Sequence, residues 1–123
     1  MNTEDLIVNG IPANEAGPIA ALWFWVYPGI RVYLTHQVKT ADARGGDATR
    51  FRRLRLELGQ LDRCTHRACT QSPPGFSPYA ALRLLEEALP HLPLELRGDT
   101  HRLAALLADR VQANQAERAA LNG

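Results

Sequence analysis

The sequence predicts an all-α protein, an irregular bundle of four to five helices behind a short extended N-terminal arm. Three observations carry that expectation. Apolar residues recur at helical spacing through most of the chain, the segments holding them are bounded by glycine, proline or capping residues, and only residues 30–38 fit a period of two as well. The 123 residues suit a single domain, 1–123, with one core, and 46% hydrophobic with 22% charged residues is ordinary for a globular chain.

The N-terminal arm is Leu6-Ile7-Val8 running into a turn at Asn9-Gly10, with Ile11-Pro12 after it. Gly17-Pro18 marks a helix start, because proline suits the first helical position. Ile19, Leu22, Trp23 and Val26 then follow at i, i+3, i+4 and i+7. Phe24, Trp25 and Tyr27 cover much of the other side, so this helix is central or covered by a partner. Pro28-Gly29 is expected to interrupt it. The next segment reads as a helix with Ile30, Tyr33, Leu34, Val38 and Ala41 on one face, continuing through Thr40-Ala41-Asp42-Ala43. Its alternative is an α+β arrangement with a hairpin over 22–38. Proline at the first position of the turn disfavours that, since primed two-residue turns need a positive φ there.

Gly45-Gly46 is a stop and Asp47 an N-cap. The helix that follows carries Phe51, Leu54, Leu58, Leu61 and Thr65 along one face, with Arg52, Arg53, Arg63 and Arg67 opposite. Thr70 to Gly75 reads as a loop. Ser77-Pro78 opens a helix through Leu89 that ends at Pro90. Leu92-Pro93-Leu94 is expected to bend over the core, and Gly98 to close that connection before Asp99 or Thr100 caps the last helix. Leu103, Leu106, Leu107 and Val111 form its core face. Beyond Val111 the apolar residues are mostly alanine, and the tail is expected to pack weakly or fray.

The net charge of +1 is unevenly spread. Residues 1–15 carry three acids and no base, whereas 50–67 carry six arginines against Glu57 and Asp62. Arg50, Arg52, Arg53, Arg55, Arg63 and Arg67 are therefore the candidate contact to nucleic acid or an acidic partner, because planar guanidinium groups suit phosphate. The plainer reading is a solvated helix face. A net charge of +1 argues against a dedicated nucleic-acid binder and suits a subunit contributing a few phosphate contacts inside a larger complex. Trp23, Phe24, Trp25 and Tyr27 are the candidate protein interface, toward another protein or a second copy of the chain, because one helix cannot turn all four into one small core.

Cys64, His66 and Cys69 suggest the alternative, a small zinc-stabilised domain. They supply three ligands where a structural site needs four, the fourth having to come from His36, His91 or His101. On a continuous helix Cys64 and Cys69 lie about 140° apart and do not converge. Either cysteine with a histidine could make a thiolate pair, but no flanking motif supports it, and Asp99-Thr100-His101 is explained as a cap. Gly45-Gly46 lacks the lysine of a phosphate loop, so no cofactor is expected. The N-terminus is acidic rather than basic, and the apolar run from Pro18 to Ile30 falls short of the about 20 residues that span a membrane. The expectation is a cytoplasmic, non-catalytic accessory or regulatory protein that binds another macromolecule.

Overall fold

A computed structural model describes the backbone of residues 13–71 and 76–122 and the side chains of 17–64 and 76–121. Among the described residues four α-helices follow one another: α1 (Ala13–Ala43), α2 (Thr49–Gln71), α3 (Pro78–Ala88) and α4 (Leu94–Asn122), with a 3₁₀ turn at Leu89–His91 between the last two. Among the described residues there is no strand, so the all-α expectation holds and the hairpin over 22–38 does not form. The proposed N-terminal arm lies outside the described residues.

α1 packs on α2 and on α4, while α3 packs on those same two helices from the other side. Trp23 meets Asp62 while Asp42 meets Arg52, so α1 and α2 run antiparallel. Trp25 meets Asp99 while Gly29 faces Leu96, which sets α4 antiparallel to α1. Short connections and this pairing give an up-down-up-down bundle.

The core sits where the apolar stripes converge. Ile19, Trp23, Val26, Ile30 and Leu34 of α1 meet Leu54, Leu58 and Leu61 of α2, Ala81, Leu85 and Ala88 of α3, and Leu103 and Leu107 of α4. Phe76, in the segment entering α3, is fully buried and meets the Trp23 ring edge-on at 5.1 Å. Nothing periodic in the sequence singles it out.

Local signals explain the end of α1 and the starts of α2 and α3. α1 ends in a Schellman motif: Gly46 N–H donates to Ala41 O at 2.8 Å and Gly45 N–H to Asp42 O at 3.2 Å. Gly45 takes φ +71°, the left-handed conformation that costs a residue with a Cβ. Thr49 N–H donates to Asp47 Oδ1 at 2.9 Å, one residue ahead of the formal cap. Hydrogen bonds from Thr49 hold the Asp47 carboxyl below the usual carboxylate range. Ser77 caps α3 through Ala80 N–H at 3.2 Å, with Pro78 in the first turn.

Several expectations about helix boundaries and faces need correction. α1 begins at Ala13 rather than Pro18 and passes unbroken through Pro28-Gly29. Pro28 is exposed, so its ring adds no burden to the core, and Gly29 gives Leu96 room: a Cβ there would stand 2.9 Å from Leu96 Cδ2. Packing on two neighbouring helices outweighs the roughly 3 kcal/mol that an interior proline costs. α4 begins at Leu94, so Gly98 lies inside it, and Leu94 is exposed instead of covering the core. Arg97 holds the turn before it, donating to Leu92 O at 2.7 Å and Pro90 O at 3.3 Å. Buried Thr100 satisfies its hydroxyl on Leu96 O at 2.6 Å instead of capping. The core face of α4 therefore runs through Thr100, Leu103, Ala104 and Leu107, and Leu106 turns outward. The tail after Val111 does pack weakly, as expected, with 115–121 exposed, but it is helical to Asn122 rather than frayed.

Two glycines give opposite expectations for one substitution. Gly45→Ala should destabilise by about 1 kcal/mol, because alanine must adopt the positive φ. Gly98→Ala should stabilise by about 0.5–1 kcal/mol, because its Cβ meets open space in a helix interior. Urea unfolding of the two variants beside the parent protein checks both signs.

Candidate anion-binding groove

The outer faces of α1 and α2 do not close over one another. Between them lies an open groove of about 870 Å³. One wall is α1, presenting Arg31, Val32, Thr35, His36 and Lys39, and the other is α2, presenting Arg52, Arg55, Leu56, Gly59 and Arg63. On α2 the residues Arg52, Leu56, Gly59 and Arg63 follow at i, i+4, i+7 and i+11, which is one stripe of a helix. On α1 Val32, His36 and Lys39 form the matching stripe at i, i+4 and i+7.

Five permanent cations therefore share one groove, and no carboxylate is among its lining residues. Arg31, Lys39, Arg55 and Arg63 form no ion pair among the described residues. Arg52 is paired with Asp42 at 2.5 Å, at the end of the groove nearest the α1–α2 connection. Both partners are about half exposed, so the pair is worth at most about 1 kcal/mol and can exchange for a ligand anion. Val32 is 64% and Leu56 58% exposed, so both stand at the outer edge of the groove, while Tyr27, Thr35, Arg55 and Gly59 are half-buried and lie deeper.

Tyr27 closes the other end. Its ring stacks on Trp23 at 5.5 Å, nearly parallel, and its hydroxyl lies over Gly59 of α2. The Trp23 indole N–H donates to Asp62 Oδ1 at 2.9 Å. Burial pushes the Tyr27 phenol above its ordinary value, the Asp62 charge adds to that, and Arg31 and Arg63 oppose it. Arg31 and Arg63 thus reach the same end of the groove from opposite helices.

The sequence-derived arginine face is divided by this arrangement. Arg52, Arg55 and Arg63 line the groove. Arg53 points to the other side of α2 and is held by Glu57 at 2.7 Å and by Glu87 of α3. Arg50 stands 3.5 Å from His91 Nε2. The Arg67 side chain lies outside the described residues. Arg31 and Lys39 were not among the expected contacts. They are separated from the arginines of α2 by more than ten residues, and only antiparallel packing brings them alongside.

The four aromatics are divided too. Trp23 is 1% exposed and belongs to the core, while Phe24 and Tyr27 are half-buried against it. Trp25 alone of the four stands out, 72% exposed, its indole N–H donating to Asp99 Oδ2 at 2.9 Å. Cys64 lies in a smaller cleft of about 360 Å³ between α2 and α3, with Arg53, Arg83 and Glu87 around it. The side chains of His66 and Cys69 lie outside the described residues, and α2 runs on through both. Among the described residues no three His, Cys, Asp or Glu side chains cluster as metal ligands, and no helix is long and apolar enough to cross a membrane.

Compared with protein-family models, curated proteins and solved structures, the chain matches none. The groove is thus the strongest pointer to function.

Tyr27 supplies a spectroscopic check on the groove's closed end. With its folded pKa raised, its contribution to stability is complete below the ordinary phenol value and lost as pH rises through the folded one. Ultraviolet titration of the folded protein should show phenolate appearing above the ordinary range, and Tyr27→Phe should remove that late portion.

Proposed function

We propose that this protein is a non-catalytic, polyanion-binding accessory protein whose ligand is nucleic acid, held in the groove between α1 and α2. One observation carries the reading: five cations from two helices converge on one open groove that no carboxylate lines. Exposed like charges gathered this way repel one another, and a phosphate backbone relieves that repulsion while releasing counterions. The net charge of +1 limits the contact to this one face, as suits a subunit that adds local grip to a larger assembly.

A protein contact belongs to the same proposal. Trp25 is a large exposed aromatic beside Glu95, Leu96 and Asp99, next to exposed Leu94. Exposed tryptophan is enriched at binding hot spots. This face lies on the α4 side of α1, away from the α2 wall of the groove, so it can engage a partner or a second copy while the groove is filled. The proposed setting is the cytoplasm.

The test is binding of fluorescein-labelled DNA and RNA across a salt series. The parent protein should bind at low salt, with affinity falling steeply as salt rises. Arg31→Glu/Arg63→Glu should weaken binding by at least about a hundredfold, since each reversed charge costs on the order of 1.4 kcal/mol or more. Absence of binding at low salt would overturn the reading.

A further inference from the structure

We infer that Asp42 is a competitor for the ligand built into the α1–α2 groove: its carboxylate holds Arg52 in the free protein, and a bound nucleic acid takes that arginine from it. The inference rests on the nucleic-acid reading above and adds the residue that limits its affinity.

The register of the two helices places Asp42 for this role. It lies exposed in the last turn of α1 and reaches across to the start of α2, where Arg52 Nη2 donates to its Oδ2 at 2.5 Å. Asp42 does not line the groove; it approaches Arg52 from beyond the end nearest the α1–α2 connection. Among the described residues Arg31, Lys39, Arg55 and Arg63 form no ion pair, so Arg52 is the groove cation that an acid already holds.

A phosphate that approaches the Arg52 guanidinium finds one of its donors taken and a like charge a hydrogen bond away. It must displace the carboxylate or bear that repulsion. Displacement is the easier course. The side chains of Arg52 and Asp42 are 51% and 48% exposed, and a single guanidinium nitrogen makes the bond, so the pair belongs to the weak class that opens readily to water. A polyanion also gains from counterion release, which one carboxylate cannot match.

The competition acts on one end of the site. Arg52 is eleven residues from Arg63, about 16 Å along α2. A ligand held by Arg31 and Arg63 at the Tyr27 end leaves Asp42 undisturbed, and only its extension toward the connection meets the pair. Asp42 therefore lowers affinity by degrees and does not close the groove.

The experiment is a double-mutant cycle read by anisotropy of fluorescein-labelled DNA at low salt, with the full chain. Asp42→Asn should tighten binding about threefold to fivefold, the range that the strength of an exposed ion pair allows. In the Arg52→Gln background the same substitution should change affinity less than about 1.5-fold, because no arginine is left to release. Glu86→Gln makes the same change in net charge at an exposed position on α3 and should leave affinity unchanged. Carbon-13 spectra supply a readout within the parent protein: DNA should move the Asp42 carboxyl signal toward its position in free Arg52→Gln, where the pair is absent. An equal gain from Asp42→Asn in both backgrounds would show a general charge effect and overturn the inference. So would no gain at all, or an Asp42 signal that DNA leaves in place, with the nucleic-acid reading still standing in each case. Absence of DNA binding by the parent and by Asp42→Asn alike would overturn both.

Discussion

The arrangement depends on how Trp23 is held. Its indole is stacked on Tyr27 one turn along α1, meets Phe76 edge-on, and donates its N–H to Asp62 of α2. It is fully buried, so the polar N–H needs that partner, and the partner fixes the height at which α2 passes α1. Once Trp23 stands opposite Asp62, Tyr27 falls over Gly59, and Arg52 reaches Asp42. The register that puts Arg31 beside Arg63 follows from one aromatic side chain and its hydrogen bond.

That register also explains why the groove stays open. The residues facing it from α2, Arg52, Leu56, Gly59 and Arg63, include three that cannot fill the space: two long cations that must reach water and a glycine with no side chain. On α1 the same is true of Arg31, His36 and Lys39. The core closes on the inner faces, through Leu54 and Leu58 against Val26, Ile30 and Leu34, and the outer faces part. The geometry that makes the bundle stable is therefore the geometry that leaves cations along both walls of the groove.

Much of this was readable in advance, wherever the physics is local. The α2 stripe of Leu54, Leu58 and Leu61, the Gly45 stop, the Asp47 and Ser77 caps and the all-α class follow from periodicity and from backbone chemistry within a few residues. The misses share a different cause. Pro28-Gly29 and Gly98 are helix breakers by local rule, yet packing partners far along the chain carry the helices through them. The arginine face was visible as six residues on one helix. That Glu87 removes Arg53 from it, and that Arg31 and Lys39 complete it, depends on which helix lies beside which. The aromatic segment likewise named four interface candidates without saying that Trp23 would be buried and Trp25 would stay outside.

The central claim is that one site is built from two helices, and its location can be observed directly. Amide ¹H–¹⁵N spectra of the uniformly labelled chain, recorded during titration with short oligodeoxythymidine, would do so. The account predicts shifts concentrated at Arg31, Val32, Thr35, His36 and Lys39 on α1 and at Arg52, Arg55, Leu56, Gly59 and Arg63 on α2, with α3 and the exposed end of α4 unmoved. Shifts confined to α2 alone, or gathered around Trp25 and Asp99, would contradict it.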